Sequence, residues 1–111
     1  MLMLPSNIPI YVASEAVDMR KGFAGLNYLI KTKIQKDPLS ASLFVFFNKR
    51  CDKVKIMYWE RDGFAMWYKQ LARGKFRPPS SAKSSYKLSL SDLTCLLQGI
   101  DLLDRQRLIA A

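Results

Sequence analysis

Leu43-Phe44-Val45-Phe46-Phe47 is followed by the polar stretch Asn48-Lys49-Arg50-Cys51-Asp52 and then by Lys53-Val54-Lys55-Ile56-Met57-Tyr58-Trp59. The first five residues are a continuous apolar run, which a strand covered on both faces requires. The next five suit a polar turn, and the last seven form the returning strand of a hairpin. In that second strand Val54, Ile56 and Tyr58 point one way, while Lys53, Lys55, Met57 and Trp59 point the other.

Upstream, Ile8 to Ala13 reads as a short strand whose Pro9 suggests an edge position. Asp18 then precedes Met19, Phe23, Leu26, Ile30 and Ile34, a spacing of four, three, four and four that marks one apolar face of a helix. Asp18 is the expected N-cap and Asp37-Pro38 the expected end, because the residue before proline leaves the α region. Gly22 and Gly25 weaken the first turns and suit a site where another backbone comes close.

Downstream, the turn Arg61-Asp62-Gly63 leads into a segment that fits two templates. Alternation groups Phe64, Met66 and Tyr68 against Ala65, Trp67 and Lys69, which suits a third strand. Helical spacing groups Phe64, Trp67, Tyr68 and Leu71, with Asp62 at the start and Gly74 at the end. The strand is preferred. A stretch rich in Pro, Ser and Lys reads as a linker over residues 78–87, and Ser89 to Asp92 resembles a capping signal for a short helix carrying the stripe Leu93, Leu96, Leu97 and Ile100, with Gly99 as terminator. The expectation is a small α+β fold: an antiparallel β-meander packed with an N-terminal helix and a short C-terminal helix. Residues 1–77 form the core unit, 78–87 the linker, and 88–111 the C-terminal helix and tail.

The 111 residues suffice for one hydrophobic core, and with half of them hydrophobic the chain is expected to fold. Eighteen Lys and Arg stand against nine Asp and Glu, a net charge of +9. Such a balance attracts polyanions, because phosphate contacts release condensed counterions. No long basic amphipathic helix points to a membrane surface. The apolar start, Met1 to Pro9, is short, lacks a basic leader and is interrupted by Pro5 and Pro9, so a soluble, cytoplasmic protein is expected. Cys51 and Cys95 follow no ligand spacing and read as reduced thiols.

Enzyme chemistry finds little support. There is no histidine, hence neither the commonest general base nor the commonest metal ligand. No phosphate-binding glycine loop occurs. Two-metal phosphoryl transfer needs converging carboxylates. The closest pairs, Glu15 with Asp18 and Glu60 with Asp62, read better as a helix cap and a turn. No catalytic residue, metal site, cofactor or small-molecule substrate is expected. Cys51, beside Arg50 and Lys53 but without a histidine partner, reads as a turn residue.

Basic and aromatic residues cluster in the middle: Lys49, Arg50, Lys53 and Lys55 on the hairpin, then Lys69, Arg73, Lys75 and Arg77, with Trp59, Trp67 and Tyr68 between. On the sheet reading Lys53, Lys55 and Trp59 share a face, to which the next strand adds Trp67 and Lys69. Lysines meet phosphates, and an exposed ring stacks on an unpaired base. The rings also suit a core. Arg20 and Lys21 open the expected helix, where the dipole disfavours positive charge, so they suggest an acidic partner or an internal salt bridge to Glu15 or Asp37. The candidate nucleic-acid-binding residues are therefore Arg20, Lys21, Lys49, Arg50, Lys53, Lys55, Trp59, Trp67, Lys69, Arg73, Lys75 and Arg77.

Several ordered segments carry a resemblance: Asp18-Met19-Arg20-Lys21-Gly22, Leu43-Phe44-Val45-Phe46, Lys55-Ile56-Met57-Tyr58-Trp59, Asp62-Gly63, Trp67-Tyr68-Lys69-Gln70-Leu71, Gly74-Lys75-Phe76 and Leu96-Leu97-Gln98-Gly99-Ile100-Asp101. Together they resemble the TnpB-type accessory proteins encoded by the second open reading frame of the insertion-sequence sixty-six family. Ala24 and Gln70 depart from that pattern, which favours an acidic and a basic residue there. The resemblance implies a protein that assists transposition while a separate transposase supplies the catalytic acids. Two roles fit: binding DNA at the element ends through the basic surface, or docking the transposase or another element-encoded protein through the Leu93-Leu97-Ile100 stripe or a sheet edge.

Overall fold

The computed structural model describes residues 7–99. Its centre is a five-stranded mixed sheet made of β1 (Ile10–Ala13), β2 (Leu43–Phe47), β3 (Lys53–Glu60), β4 (Gly63–Gln70) and β5 (Ser85–Leu88), in the order β4-β3-β2-β1-β5. The β2-β3-β4 part is the expected antiparallel meander, and residues 63–70 adopt the strand that alternation favoured. β1 joins β2 in parallel and β5 antiparallel, so the sheet is mixed. β1 is thus an interior strand, contrary to the edge position suggested by Pro9. Proline sits just ahead of the strand, where its missing N–H breaks no ladder bond, and its carbonyl accepts from the Leu43 amide at 2.9 Å.

All five residues of β2 are buried because the sheet is covered on both sides. Leu43, Val45 and Phe47 face a core completed by Ile10, Val12, Val54, Ile56, Phe76 and the helix α2 (Leu90–Leu97). Phe44 and Phe46 face a second core with Met57, Val17, Leu26, Ile30 and Ile34. Helix α2 starts and ends as expected. Ser89 Oγ accepts from the Asp92 amide at 3.1 Å, and Gly99 closes the end at φ +83°. Leu93, Leu96 and Leu97 are buried in the first core, so this part of the stripe is not free to dock a partner; Ile100 lies outside the described residues.

The connection from β1 to β2 departs most from expectation. Helix α1 (Phe23–Leu29) begins four residues later than Asp18 suggests, with Gly22 at the N-cap and no side-chain cap. It continues as a π-helical segment, Ile30–Ile34. Steps of four from Leu26 to Ile30 to Ile34 overshoot an α-helical turn by about 40° each. The wider turn offsets that drift and keeps all three residues against the sheet. Gln35 closes the segment in the left-handed region at φ 60°. Gly25 accommodates the side chain of Lys21 and no second backbone: a Cβ there would lie 3.2 Å from Lys21 Cβ.

The last three residues of the stretch expected as a linker, together with Leu88, form β5, whose four residues pair with β1 from Ile10↔Leu88 to Ala13↔Ser85. Before it, Phe76 is buried against Phe47 with ring centroids 5.6 Å apart, and its amide donates to the Cys51 carbonyl at 2.7 Å. Residues 71–77 are thereby strapped to the β2–β3 turn, which also receives the Leu71 amide on the Asp52 carbonyl.

One polar side chain fixes the loop ahead of α1. Lys55 in the middle of β3 is only 7% exposed, and its Nζ donates to the Met19 carbonyl at 2.6 Å and the Lys21 carbonyl at 2.9 Å. Replacing it with a residue of similar length but no donor, Lys55→Met, leaves those carbonyls without their donor and should cost about 1–3 kcal/mol. The urea midpoint should fall, with faster amide exchange concentrated in residues 18–26. A variant as stable as the parent, with unchanged exchange, would show that the clamp contributes nothing.

Candidate nucleic-acid interface

Two turns meet at one end of the sheet and enclose an open groove of about 570 Å³. One wall is the segment between β1 and α1, contributing Val17, Asp18, Met19 and Arg20; the other is the β2–β3 turn with Asn48, Lys49, Arg50 and Lys53. Tyr68 from β4 completes the lining. The Val17 amide donates to the Phe47 carbonyl at 2.9 Å, so the first wall is tied to the end of β2 as well as to Lys55.

The β2–β3 turn is rigidified from within. Asn48 Oδ1 accepts from the Lys53 amide at 2.9 Å, and Asn48 Nδ2 donates to Asp52 Oδ1 at 2.6 Å. That contact lowers the Asp52 pKa. Asparagine suits this position because its side chain bonds to nearby backbone in place of a ladder. Cys51 takes a positive φ of 57°, a turn conformation that few side chains adopt readily. With their neighbours fixed, Lys49 and Arg50 project as exposed side chains from a defined base.

The first wall folds on Asp18. Its Oδ1 accepts from the Arg20 amide at 2.9 Å, and the Arg20 guanidinium returns to the same carboxylate, with Nη2 to Oδ2 at 2.6 Å. Arg20 is 91% exposed and forms this pair two residues away, instead of the salt bridge to Glu15 or Asp37 that the sequence suggests. The hydrogen bonds from Arg20 hold the Asp18 carboxyl down at about 2 from its ordinary 3.8. Because that value is lowered, the contribution of the contact to stability is complete above the ordinary value and is lost as pH falls through about 2. Since Arg20 and Lys21 precede α1, they do not open the helix as expected, and the dipole argument does not apply to them.

Of the sequence-predicted residues, Arg20, Lys49, Arg50 and Lys53 come together in the groove. Lys55 is buried and committed to the Met19 and Lys21 carbonyls. Lys21 itself lines a separate cavity of about 110 Å³ with Glu15, Lys33 and Ser84. The β3–β4 register moves two others to the opposite face. Trp67 stands opposite Ile56 and packs on the α2-side core, and Lys69 stands opposite Val54. Trp59 keeps the Lys53 face but lies six residues along β3, roughly 20 Å away, packed edge-on to Phe64 at 5.1 Å. Arg73, Lys75 and Arg77 are exposed on the strap that Phe76 anchors to the β2–β3 turn and do not line the groove. The groove's aromatic ring is Tyr68, 49% exposed and opposite Lys55 in the register. Its position could have been read from alternation, since Tyr68 and Lys55 fall on one face once 63–70 is a strand.

Among the described residues no group of three or more His, Cys, Asp or Glu side chains is placed to hold a metal ion, and no helix is long and apolar enough to cross a membrane. Both thiols are free and half-buried.

Comparison with known proteins places this architecture. Two curated relatives come from Sinorhizobium fredii (strain NBRC 101917 / NGR234). Uncharacterized protein y4jC is 35% identical over 92 residues, covering 83% of this chain and 79% of the relative. Uncharacterized protein y4hO is 34% identical over 101 residues, covering 89% and 88%. No solved structure shows a significant match. The family model described as IS66 Orf2 like protein matches residues 8–107, a span that takes in all five strands, both helices and both walls of the groove. The chain belongs to the IS66 Orf2-like family of insertion-sequence proteins.

Proposed function

We propose that this protein is a non-catalytic accessory factor of transposition that binds DNA of the element ends through the groove between the Asp18–Arg20 and Asn48–Lys53 walls. The observation that carries this reading is the convergence of Arg20, Lys49, Arg50 and Lys53 on one open concavity in a chain of net charge +9. Asp18 is the one carboxylate in its lining. Packing does not call for exposed cations grouped on two braced turns, whereas a phosphate backbone rewards them by counterion release. Neither helix is placed to read a major groove. Helix α1 has seven residues, and neither Phe23–Leu29 nor Leu90–Leu97 contains a Lys or Arg to meet phosphates or base edges. The contacts are therefore with phosphates and carry little base readout.

Four phosphate contacts imply a salt slope of about −3.6, so affinity should fall roughly a hundredfold between about 50 and 200 mM salt. The triple reversal Lys49→Glu, Arg50→Glu, Lys53→Glu should abolish binding of element-end DNA in an anisotropy titration while leaving the melting temperature nearly unchanged. Normal binding by that variant would misplace the site. No binding at low salt, combined with tight capture by the element's transposase, would replace this reading with that of a docking adaptor.

Asp18 opposes the ligand. Asp18→Asn keeps an oxygen for the Arg20 amide, removes the groove's carboxylate and frees the guanidinium, so DNA affinity should rise several-fold. Unchanged or weaker binding would show that Arg20 takes no part.

A further inference from the structure

The groove combines its cations with a ring, and the ring is placed where a base pair cannot use it. Tyr68 is one of four large hydrophobic side chains among the described residues that remain exposed. It is also the one that lies among Arg20, Lys49, Arg50 and Lys53. Beneath it, the buried Lys55 Nζ sits 4.8 Å from the ring centroid, so the ring is supported from inside the fold by a cation that is itself fixed by two carbonyls. A phenol ring held on one side and open on the other is a stacking platform with little left to order on binding.

In duplex DNA both faces of every internal base are occupied by its neighbours, and the rims present phosphates. A ring that shares a groove lining with those cations meets the duplex at its phosphate rim, where no base face is free. An unpaired nucleotide has a free face, and the groove supplies phosphate partners on either side of it. We propose that the groove is a single-strand site in which an unpaired base stacks on Tyr68 while Arg20, Lys49, Arg50 and Lys53 hold the flanking phosphates. The proposal rests on the reading of the groove as a DNA site and assigns it a strand state: frayed or opened DNA.

The chemistry predicts affinity from the cations and strand preference from the ring. Base–aromatic stacking is worth about 1–3 kcal/mol per base, or roughly five- to 150-fold in affinity. It tolerates sequence, because every base has a π-face.

The full chain should be titrated with a labelled single strand of about 20 nucleotides and with the matching duplex, at low salt. The single strand should bind more tightly. Tyr68→Ala should weaken it by at least about fivefold and leave duplex binding unchanged, and Tyr68→Phe should retain the single-strand affinity, since stacking needs the ring and not the hydroxyl. A single strand carrying 5-iododeoxyuridine should photocrosslink to Tyr68. Because the side chain is half exposed and carries no core packing of its own, both variants should melt close to the parent; the crosslink tests the site even where Tyr68→Ala proves unstable. Duplex preference in the parent, a neutral Tyr68→Ala with crosslinks elsewhere, or equal loss for both DNA forms overturns the strand assignment and leaves the basic groove standing as a duplex site. Failure of both DNA forms to bind overturns the strand assignment and the DNA reading together.

Discussion

Lys55 holds two parts of the molecule that the sheet alone would leave apart. Its ammonium is buried with no carboxylate partner among the described residues, and a charge in that position is tolerated only when its donors are met. The carbonyls of Met19 and Lys21 meet them, and they belong to the loop between β1 and α1. The Val17 amide on the Phe47 carbonyl anchors the start of that loop, and the bonds from Lys55 anchor its end. The loop ends at Gly22, which gives α1 no side-chain cap, and Asp18 bonds only within its own turn. The bonds from β3 therefore fix the part of the loop next to α1, and with it the backbone on either side of Arg20. The same side chain lies beneath Tyr68. One buried cation thus contributes to placing one wall of the groove and its ring, while Lys53, two residues earlier on the same face, lines the groove itself.

Strand parity assigns the remaining roles. In an antiparallel pair, residues opposite one another share a face, and a shift by one residue exchanges the faces. Here Lys53 pairs with Gln70 and Lys55 with Tyr68, whereas Ile56 pairs with Trp67 and Val54 with Lys69. The tryptophan and lysine that look like natural partners for Lys53 in sequence accordingly lie on the α2 side. Trp67 contributes apolar area to the core there, and the less bulky tyrosine is left in the groove. A ring with a polar edge suits that wet position better than indole would, since its hydroxyl stays solvated while its face remains free.

The legible parts of the fold were those with local causes. The apolar run Leu43–Phe47 required two covering layers and has them; the Ser89 cap and the Gly99 terminator act within a few residues, as does alternation across Gly63–Gln70. The illegible parts depend on distant partners. Nothing in Ile10–Ala13 reveals that its neighbour is β2 in parallel, and Pro9 points the wrong way because its cost vanishes one residue before the strand. Ser85-Tyr86-Lys87-Leu88 is polar enough to pass for linker. It becomes a strand because β1 offers an open ladder and Tyr86 and Leu88 reach the α2-side core. The candidate site divides in the same way. Exposed cations on a turn could be chosen from sequence, but whether a lysine inside a strand faces water or a pair of carbonyls is decided by a loop 34 to 36 residues away.

The groove's two walls differ in how much they can yield, and this bears on what it can hold. The Asn48–Lys53 wall is closed by four short-range bonds, two from the Asn48 side chain and two through its backbone to Cys51 and Lys53, and by two more from the strap that ends at Phe76. The backbone that carries its cations is preorganised, so the ordering cost when a phosphate arrives is confined to their side chains. The opposite wall carries Arg20 already engaged with Asp18 in an exposed pair, which water and salt weaken readily. A backbone phosphodiester can compete for that guanidinium because its two non-bridging oxygens offer a similar two-point contact, and neighbouring phosphates along the strand add to the attraction. One wall is thus a fixed template and the other an exchangeable latch. On the proposed reading a flexible polyanion would meet the fixed wall without rearranging it, while Arg20 would exchange the Asp18 carboxylate for a phosphate.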